Sequence, residues 1–417
     1  MTNNKHTAIT LVEAALARAG VADDATLAVG VSGGADSTAL ALLLHELRPI
    51  VALTVDHGLR DGSDGEAAAV AKAMAEHGIK HHTLTWAGEK PTTNLQAAAR
   101  EARYSLMDAW CAKEGISYLA LGHHMDDQAE TFLLRLARGS GVYGLAAMSE
   151  KAGMPRAGSD VTLLRPLLRV EKTALISFLG EYGESWIEDP SNEMDRFDRV
   201  KLRQFMQDSP LPGLSADKLA ATAARLERAR SALEHYSDVL LSEAASVHTA
   251  GYVSIDPVKL LAAPEEISLR CLARVLRHVS GEPYSARLEK LETCLAAIQG
   301  EDFKGSTLSG CQILPQGEML LIGREPRAAE RAGVLRENGL WDNRFNVTVT
   351  AKGRVAALGD DGWSQIARRV EGSALAKIPH AFRLSLPALW RDGNIIAQPH
   401  FGVGEGLEAE FSPTHSL

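Results

Sequence analysis

A chain of 417 residues exceeds one ordinary domain, so two or three are expected, and with 45% hydrophobic but only 5% aromatic residues their cores rest on Leu, Val and Ala. No apolar run reaches the roughly 18–20 residues of a membrane helix, and the N-terminal stretch reads as an amphipathic helix without a cleavage-type site, so a soluble, cytoplasmic protein with no membrane partner is expected. The formal charge of −9 argues against a general nucleic-acid coat but leaves room for a local basic surface, and the four cysteines (Cys111, Cys271, Cys294, Cys311) form no Cys-x-x-Cys pair, which argues against a disulfide framework or a zinc site.

In chain order, Thr26–Val31, Ile50–Gly58, Lys80–Trp86 and Ser117–His124 are short, apolar, partly β-branched runs. Between them lie Ala-rich segments of helical period, such as Gly65–His77 and Asn94–Lys113. This alternation predicts a parallel sheet covered by helices on both faces, extended by a strand at Val161–Leu168. Around 205–215 the composition turns to Pro, Gly and Ser; a long helix is then expected from Ser215 to about Ala245, with helical segments to about Gly300. From Ser306 the pattern becomes strands and tight turns, with hairpins at Gln316-Gly317 and Asp392-Gly393. The expected fold class is α/β: a parallel-sheet nucleotide-binding domain over 1–212, a helical middle domain over 213–302 and a small α+β C-terminal domain over 303–417.

The chemistry is concentrated in "LAVGVSGGADSTALALLLHEL", Leu27–Leu47, where Ser32, Gly33, Gly34, Ala35, Asp36 and Ser37 stand between the first strand and a helix. Glycines let main-chain N–H groups approach an anion, the hydroxyls donate, and the helix points its positive end at the same place. That describes a phosphate cradle, yet Asp36 would repel a polyphosphate unless a divalent cation lay between them, so Asp36 is the candidate Mg²⁺ ligand. No Gly-Lys-Ser/Thr follows, so this is not a Walker A loop.

Ser32–Ser37 resembles the PP-loop of ATP pyrophosphatases, which cleave ATP to AMP and pyrophosphate while adenylating a substrate. "VDHGLR" (Val55–Arg60), "NLQAAAREARY" (Asn94–Tyr104), "LGHHMDDQAETFLLRLARGSGVYGL" (Leu121–Leu145), "RPLL" (Arg165–Leu168) and "EDPSNEMDRFDRVKLR" (Glu188–Arg203) follow in that order, and together they resemble the tRNA(Ile)-lysidine synthase family. The resemblance covers most of residues 24–205; beyond 215 it is architectural only. It implies ATP and Mg²⁺ as cofactors, with a CAU-anticodon tRNA(Ile) and L-lysine as partners. It also implies a two-step reaction in which the wobble cytidine is adenylated at C2 and the amine of lysine then displaces AMP. Residues 1–212 would be the catalytic PP-loop domain and 213–302 a tRNA-binding one. Assembly as a homodimer is left open.

Asp127 and Glu130 are three residues apart and share a helical face that suits an ammonium group; the resemblance makes them lysine-binding and catalytic, the alternative being a solvated acidic turn. His123 and His124 end a strand at the ligand edge, where they contact ATP or the cytidine, or simply cap the strand. Asp56 and His57 lie at the same edge, where backbone could read adenine. Of Arg100 and Arg103, the resemblance favours Arg103 for stabilising the phosphate charge that develops on adenylation. Arg135 and Arg138, before the Gly-rich Gly139–Leu145, and Arg196, Arg199 and Arg203, in the densest basic run, are the candidate tRNA contacts. Where the family pattern has an Arg-Asn pair this chain has Arg199-Val200, so an amide at that point is absent or supplied elsewhere. Related amidotransferases and thiolases need a cysteine nucleophile or paired cysteines that this chain does not offer. A non-catalytic binding protein would have no need of Asp36 beside the loop.

Overall fold

The structure, a computed structural model, describes residues 2–59, 62–88, 90–156, 158–187, 202, 205–206, 211, 213–370, 378–415 and 417. Arg196, Arg199 and Arg203, with Val200, lie outside the described residues. The chain divides into two compact units, Met1–Ser231 and Ala232–Leu417.

The first unit is built on a six-stranded sheet of order β3-β2-β1-β4-β6-β5. Its strands are β1 (Leu27–Gly30), β2 (Ile50–Asp56), β3 (Lys80–Thr85), β4 (Tyr118–Ala120), β5 (Lys151–Gly153) and β6 (Thr162–Leu164). All pair in parallel except β5, an antiparallel edge. Both faces are covered, as strand periodicity shows. Leu27, Val29 and Ala52 point into one core with α1 (Thr2–Arg18), α2 (Ala35–Leu47), α3 (Ser63–Glu76) and α7 (Lys172–Tyr182). Ala28 and Leu53 point into the other, with α4 (Leu95–Glu114). Helix α2 is apolar nearly all round because it is buried nearly all round; Leu40, Leu42, Leu43 and Leu44 are essentially inaccessible. Each such leucine contributes about 1.5–3 kcal/mol over its exposed state. The strand order reverses between β1 and β4, and ligands of open α/β sheets bind in the crevice beyond such strand ends.

The second unit holds a five-stranded antiparallel sheet, β7 (Ala245–His248), β8 (Tyr252–Ile255), β11 (Met319–Arg324), β10 (Cys311–Gln316) and β9 (Ser306–Leu308), in that spatial order. The amphipathic helices Glu265–Ser280 and Leu288–Gln299 pack on it. Two three-stranded sheets enclose a further core with the helix Gly359–Val370. One is β12 (Gly339–Trp341), β13 (Phe345–Val349) and β17 (Leu407–Phe411); the other is β14 (Arg354–Ala357), β15 (Pro387–Arg391) and β16 (Asn394–Ala397). The long helix occurs at Ala216–Ala244, and both hairpins turn where expected, the second through Asp392 and Gly393 at φ 49° and 79°. Strands β7 and β8 fall in the stretch read from sequence as helical and share a sheet with strands beyond 302. All four residues of β8 are buried, so it shows no apolar/polar alternation to read. Among the described residues no helix is long and apolar enough to cross a membrane.

Candidate active site

The chain leaves β1 through Ser32–Ser37 at the strand-order reversal. Gly33 takes φ +87°, and a Cβ there would lie 2.8 Å from Val70 Cγ2 and 3.0 Å from Ile187 Cδ1, so no side chain fits. Gly122, after β4, approaches the first turn of α2 so closely that a Cβ would stand 3.1 Å from the backbone of Asp36. These two glycines bring the ends of β1 and β4 onto one site. The Ser37 hydroxyl accepts from Ser32 N–H at 3.1 Å and donates to Gly34 O at 3.0 Å, so it braces the loop from within. Ser32 Oγ lies 3.2 Å from it on the exposed side, and the opening N–H groups of α2 have no intrahelical acceptor. Anion binding here therefore falls chiefly to backbone N–H groups and Ser32.

His124 caps α5 (Met125–Ala137) rather than ending a strand: its backbone N–H donates to Asp127 Oδ2 at 3.1 Å, closing a capping box. The ring is 1% exposed and lies among three carboxylates. Nε2 is 3.5 Å from both Asp36 Oδ2 and Asp127 Oδ2, and Nδ1 is 3.3 Å from Asp126 Oδ2. Burial works to lower its pKa, but the hydrogen bonds and charges of Asp126, Asp36 and Asp127 outweigh it and raise it to about 10. The carboxylates thus favour the charged form of the ring, which lies between the acids of α2 and α5. Glu130, one turn along α5, is fully buried and Asp127 nearly so, which removes the reading of a solvated acidic turn. His123 is half-buried beside them.

At the end of β2, Asp56 Oδ1 accepts from Gly58 N–H at 2.9 Å and shapes the turn; hydrogen bonds from Ser63 and Gly58 hold its pKa down. His57 packs edge-on against Trp86 and receives Arg103 Nη2 at 3.4 Å. Burial first, then Arg103, lowers His57 to about 4, so it is neutral and accepts from the guanidinium. Arg135 donates to Gly144 O and Ala147 O at 2.8 and 2.9 Å, holding the Gly-rich loop, while Arg138 is exposed.

Mg²⁺ fits this donor set. Among the described residues no group of three or more His, Cys, Asp or Glu side chains forms a metal cage. A site of one or two carboxylates completed by phosphate oxygens and water needs none, and Asp36, with Asp127 across the shared His124, supplies such carboxylates.

Sequence reasoning missed His124 as the hub of the acids and gave no role to Tyr104 or Arg165. The His-x-Asp-Asp order at a helix start was a visible capping signal; the contact with Asp36 was not.

Residues 4–209 match a family described as a PP-loop domain. The chain is 38% identical over 397 residues to the tRNA(Ile)-lysidine synthase of Ruegeria pomeroyi, spanning 92% of this chain and 90% of that protein. It is 34% identical over 393 residues to the tRNA(Ile)-lysidine synthase of Wolbachia pipientis wMel, spanning 89% and 88%. It is 40% identical over 317 residues to that of a Methylobacterium species, spanning 73% and 91%.

Proposed function

Since the chain belongs to the tRNA(Ile)-lysidine synthase family, we propose that it joins L-lysine to C2 of the wobble cytidine of a CAU-anticodon tRNA(Ile). ATP is cleaved to AMP and pyrophosphate by way of an adenylated tRNA, and the tRNA substrate makes the cytoplasm its place of work. The observation that carries the reading is the burial of Asp127 and Glu130 on α5, joined through His124 to Asp36 at the phosphate loop. Buried carboxylates on one helical face suit the ammonium groups of lysine, and their link to the phosphate loop supports a lysine site beside the nucleotide.

In this reading Gly33, Gly34, Ala35 and Asp36 offer backbone N–H groups to the phosphates, with Ser32 and Ser37 supporting them. Backbone around Asp56 and His57 faces adenine, and His123 faces the nucleotide. Arg103, steadied by neutral His57, meets the charge that builds on the phosphates as pyrophosphate leaves. Mg²⁺ bound at Asp36 would neutralise phosphate charge. Asp127 and Glu130 hold lysine with its attacking amine toward the activated cytidine, and Arg135, Arg138, Arg196, Arg199 and Arg203 serve the tRNA.

The test is AMP release from ATP with CAU tRNA(Ile) and Mg²⁺, with and without L-lysine, comparing the wild type with Asp36→Ala. Lysine-dependent AMP release with labelled lysine in the tRNA, both lost in the variant, is the expected result. AMP without lysine incorporation would remove lysine as the nucleophile, and no ATP turnover would remove the ligase reading.

A further inference from the structure

A run of guanidinium groups in the first unit has almost no acid to balance it. Arg100 Nη2 donates to Tyr104 Oη at 3.0 Å, and its guanidinium lies 5.0 Å from the Tyr104 ring centroid. Arg165, directly after β6 at the ligand edge of the sheet, lies close enough to Tyr104 and Arg100 to feel both. Its Nη1 donates to Ser149 O at 3.0 Å, while its Nε is buried without a hydrogen-bond partner. Arg230 Nη2 reaches Ser149 Oγ at 2.5 Å, and its guanidinium lies 5.9 Å from the Tyr143 ring. Arg135 is close enough to both Arg165 and Arg230 to feel their charge, and Arg103 to feel that of Arg100. Glu227, 2.6 Å from Arg230, is the carboxylate of the run; among the described residues none pairs with Arg100, Arg103, Arg135 or Arg165.

Burial and then the neighbouring like charges hold Arg135 below its ordinary pKa, and Arg165 is held down by burial, with Arg100 and Arg135 adding to it. In a chain of net charge −9, a half-buried cationic run of this kind is an anion site. It extends from Arg103, beside His57, across Tyr104 and Ser149 to Arg230, a reach of several side chains. That suits successive phosphates of a polyanion better than one triphosphate. The interleaved tyrosines add ring faces of the sort on which unpaired bases stack.

We propose that Arg100, Arg165 and Arg230, aligned by Tyr104 and Ser149, form a docking track for backbone phosphates of the tRNA anticodon arm next to the cytidine being modified. The track rests on the reading of the chain as a tRNA ligase. Tyr104 and Ser149 are positioning residues in it: the Tyr104 hydroxyl holds Arg100, and Ser149 holds Arg165 through its carbonyl and Arg230 through its hydroxyl.

The test measures the affinity for CAU tRNA(Ile), without ATP or lysine, between about 50 and 200 mM salt. Arg100→Gln and Arg230→Gln are each expected to reduce the slope of log K against log salt by about 0.7–0.9. Arg100→Lys, which keeps the charge at an exposed position, retains the wild-type slope. Affinity for ATP alone stays unchanged in all three. Wild-type slopes in both Gln variants overturn the track, as does weakened ATP binding with an unchanged tRNA slope, which would assign the arginines to the nucleotide. If the wild type incorporates lysine while the variant slopes do not move, the track alone fails. If wild-type tRNA binding shows no salt dependence, the tRNA reading fails with it.

Discussion

Two charge clusters, one in each unit, are made of similar groups and differ in their exposure. In the second unit Arg324 and Arg344 clamp Asp342, at 2.8 Å from Arg324 Nη2 and 2.7 Å from Arg344 Nη2, and Glu282 stands 3.8 Å from Arg324 Nη1. Cations and carboxylates are equal in number there, and the Asp342 and Arg344 side chains are 2% and 0% exposed. In the first unit the buried His124 ring faces Asp36, Asp126 and Asp127, and the first two keep about a third of their side-chain surface open. The closed, balanced cluster fastens the end of β11 to the turn before β13, where Asp342 and Asn343 are held at φ 52° and 53°. The open one faces the crevice beside the phosphate loop. Carboxylates left reachable separate a binding site from a fastening.

The difference can be broken most directly through stability. Asp342→Asn leaves two buried guanidinium groups without their shared carboxylate, and a loss of about 3–5 kcal/mol in urea unfolding is expected. Asp36 keeps about a third of its side-chain surface open, so the unfolding midpoint of Asp36→Asn should fall far less than that of Asp342→Asn. An equal loss at Asp36 would make both clusters structural. The next effect is on the substrate side. Asp127→Asn keeps an oxygen to accept from His124 N–H but loses the charge, and about 1.5–3 kcal/mol of contact with an ammonium group should go with it. That appears as a rise of roughly 10–150-fold in KM for lysine, with the affinity for ATP unchanged. Equal losses for lysine and ATP would instead place Asp127 in the general upkeep of the crevice.

The sheet and its loop were legible because their signals are local: apolar runs of strand length, small residues at the strand–helix turn, and helical spacing of Asp127 and Glu130. What stayed hidden depends on packing between distant segments. His124 meets Asp36 only because Gly122 lets β4 close on α2, and Arg165 comes near Arg100 and Tyr104 only once α4 lies beside the β6 end. Arg135 read as a tRNA contact on a basic helix, and its guanidinium also donates to the loop carbonyls of Gly144 and Ala147, a contact no spacing announces. Each of these is a contact across the fold, which composition and periodicity do not encode.

The smallest expected effect is in pH, and it has opposite signs at the two places. In the second unit His278 donates from Nδ1 to His415 O at 2.7 Å, leaving Nε2 buried without a donor to accept from, with Arg277 and His415 as the charged or titratable groups near it. Burial holds His278 and His400 below the ordinary 6.5, so the unfolded chain takes up protons first and stability falls as pH drops below 6.5. His124 is raised from 6.5 to about 10, so its contribution is complete below 6.5 and drains away as pH rises toward 10. His57 and His81 give the first unit an acid limb as well, and buried Cys111 and Cys311 cost stability in both units above their ordinary 9.0. The discriminating window therefore lies between 6.5 and 9.0. Hydrogen exchange resolved by segment should show protection at the start of α5 declining across that window, with the sheet β7–β11 unmoved and the decline abolished in His124→Gln. A decline that persists in His124→Gln would mean that the imidazolium does not hold the acids together.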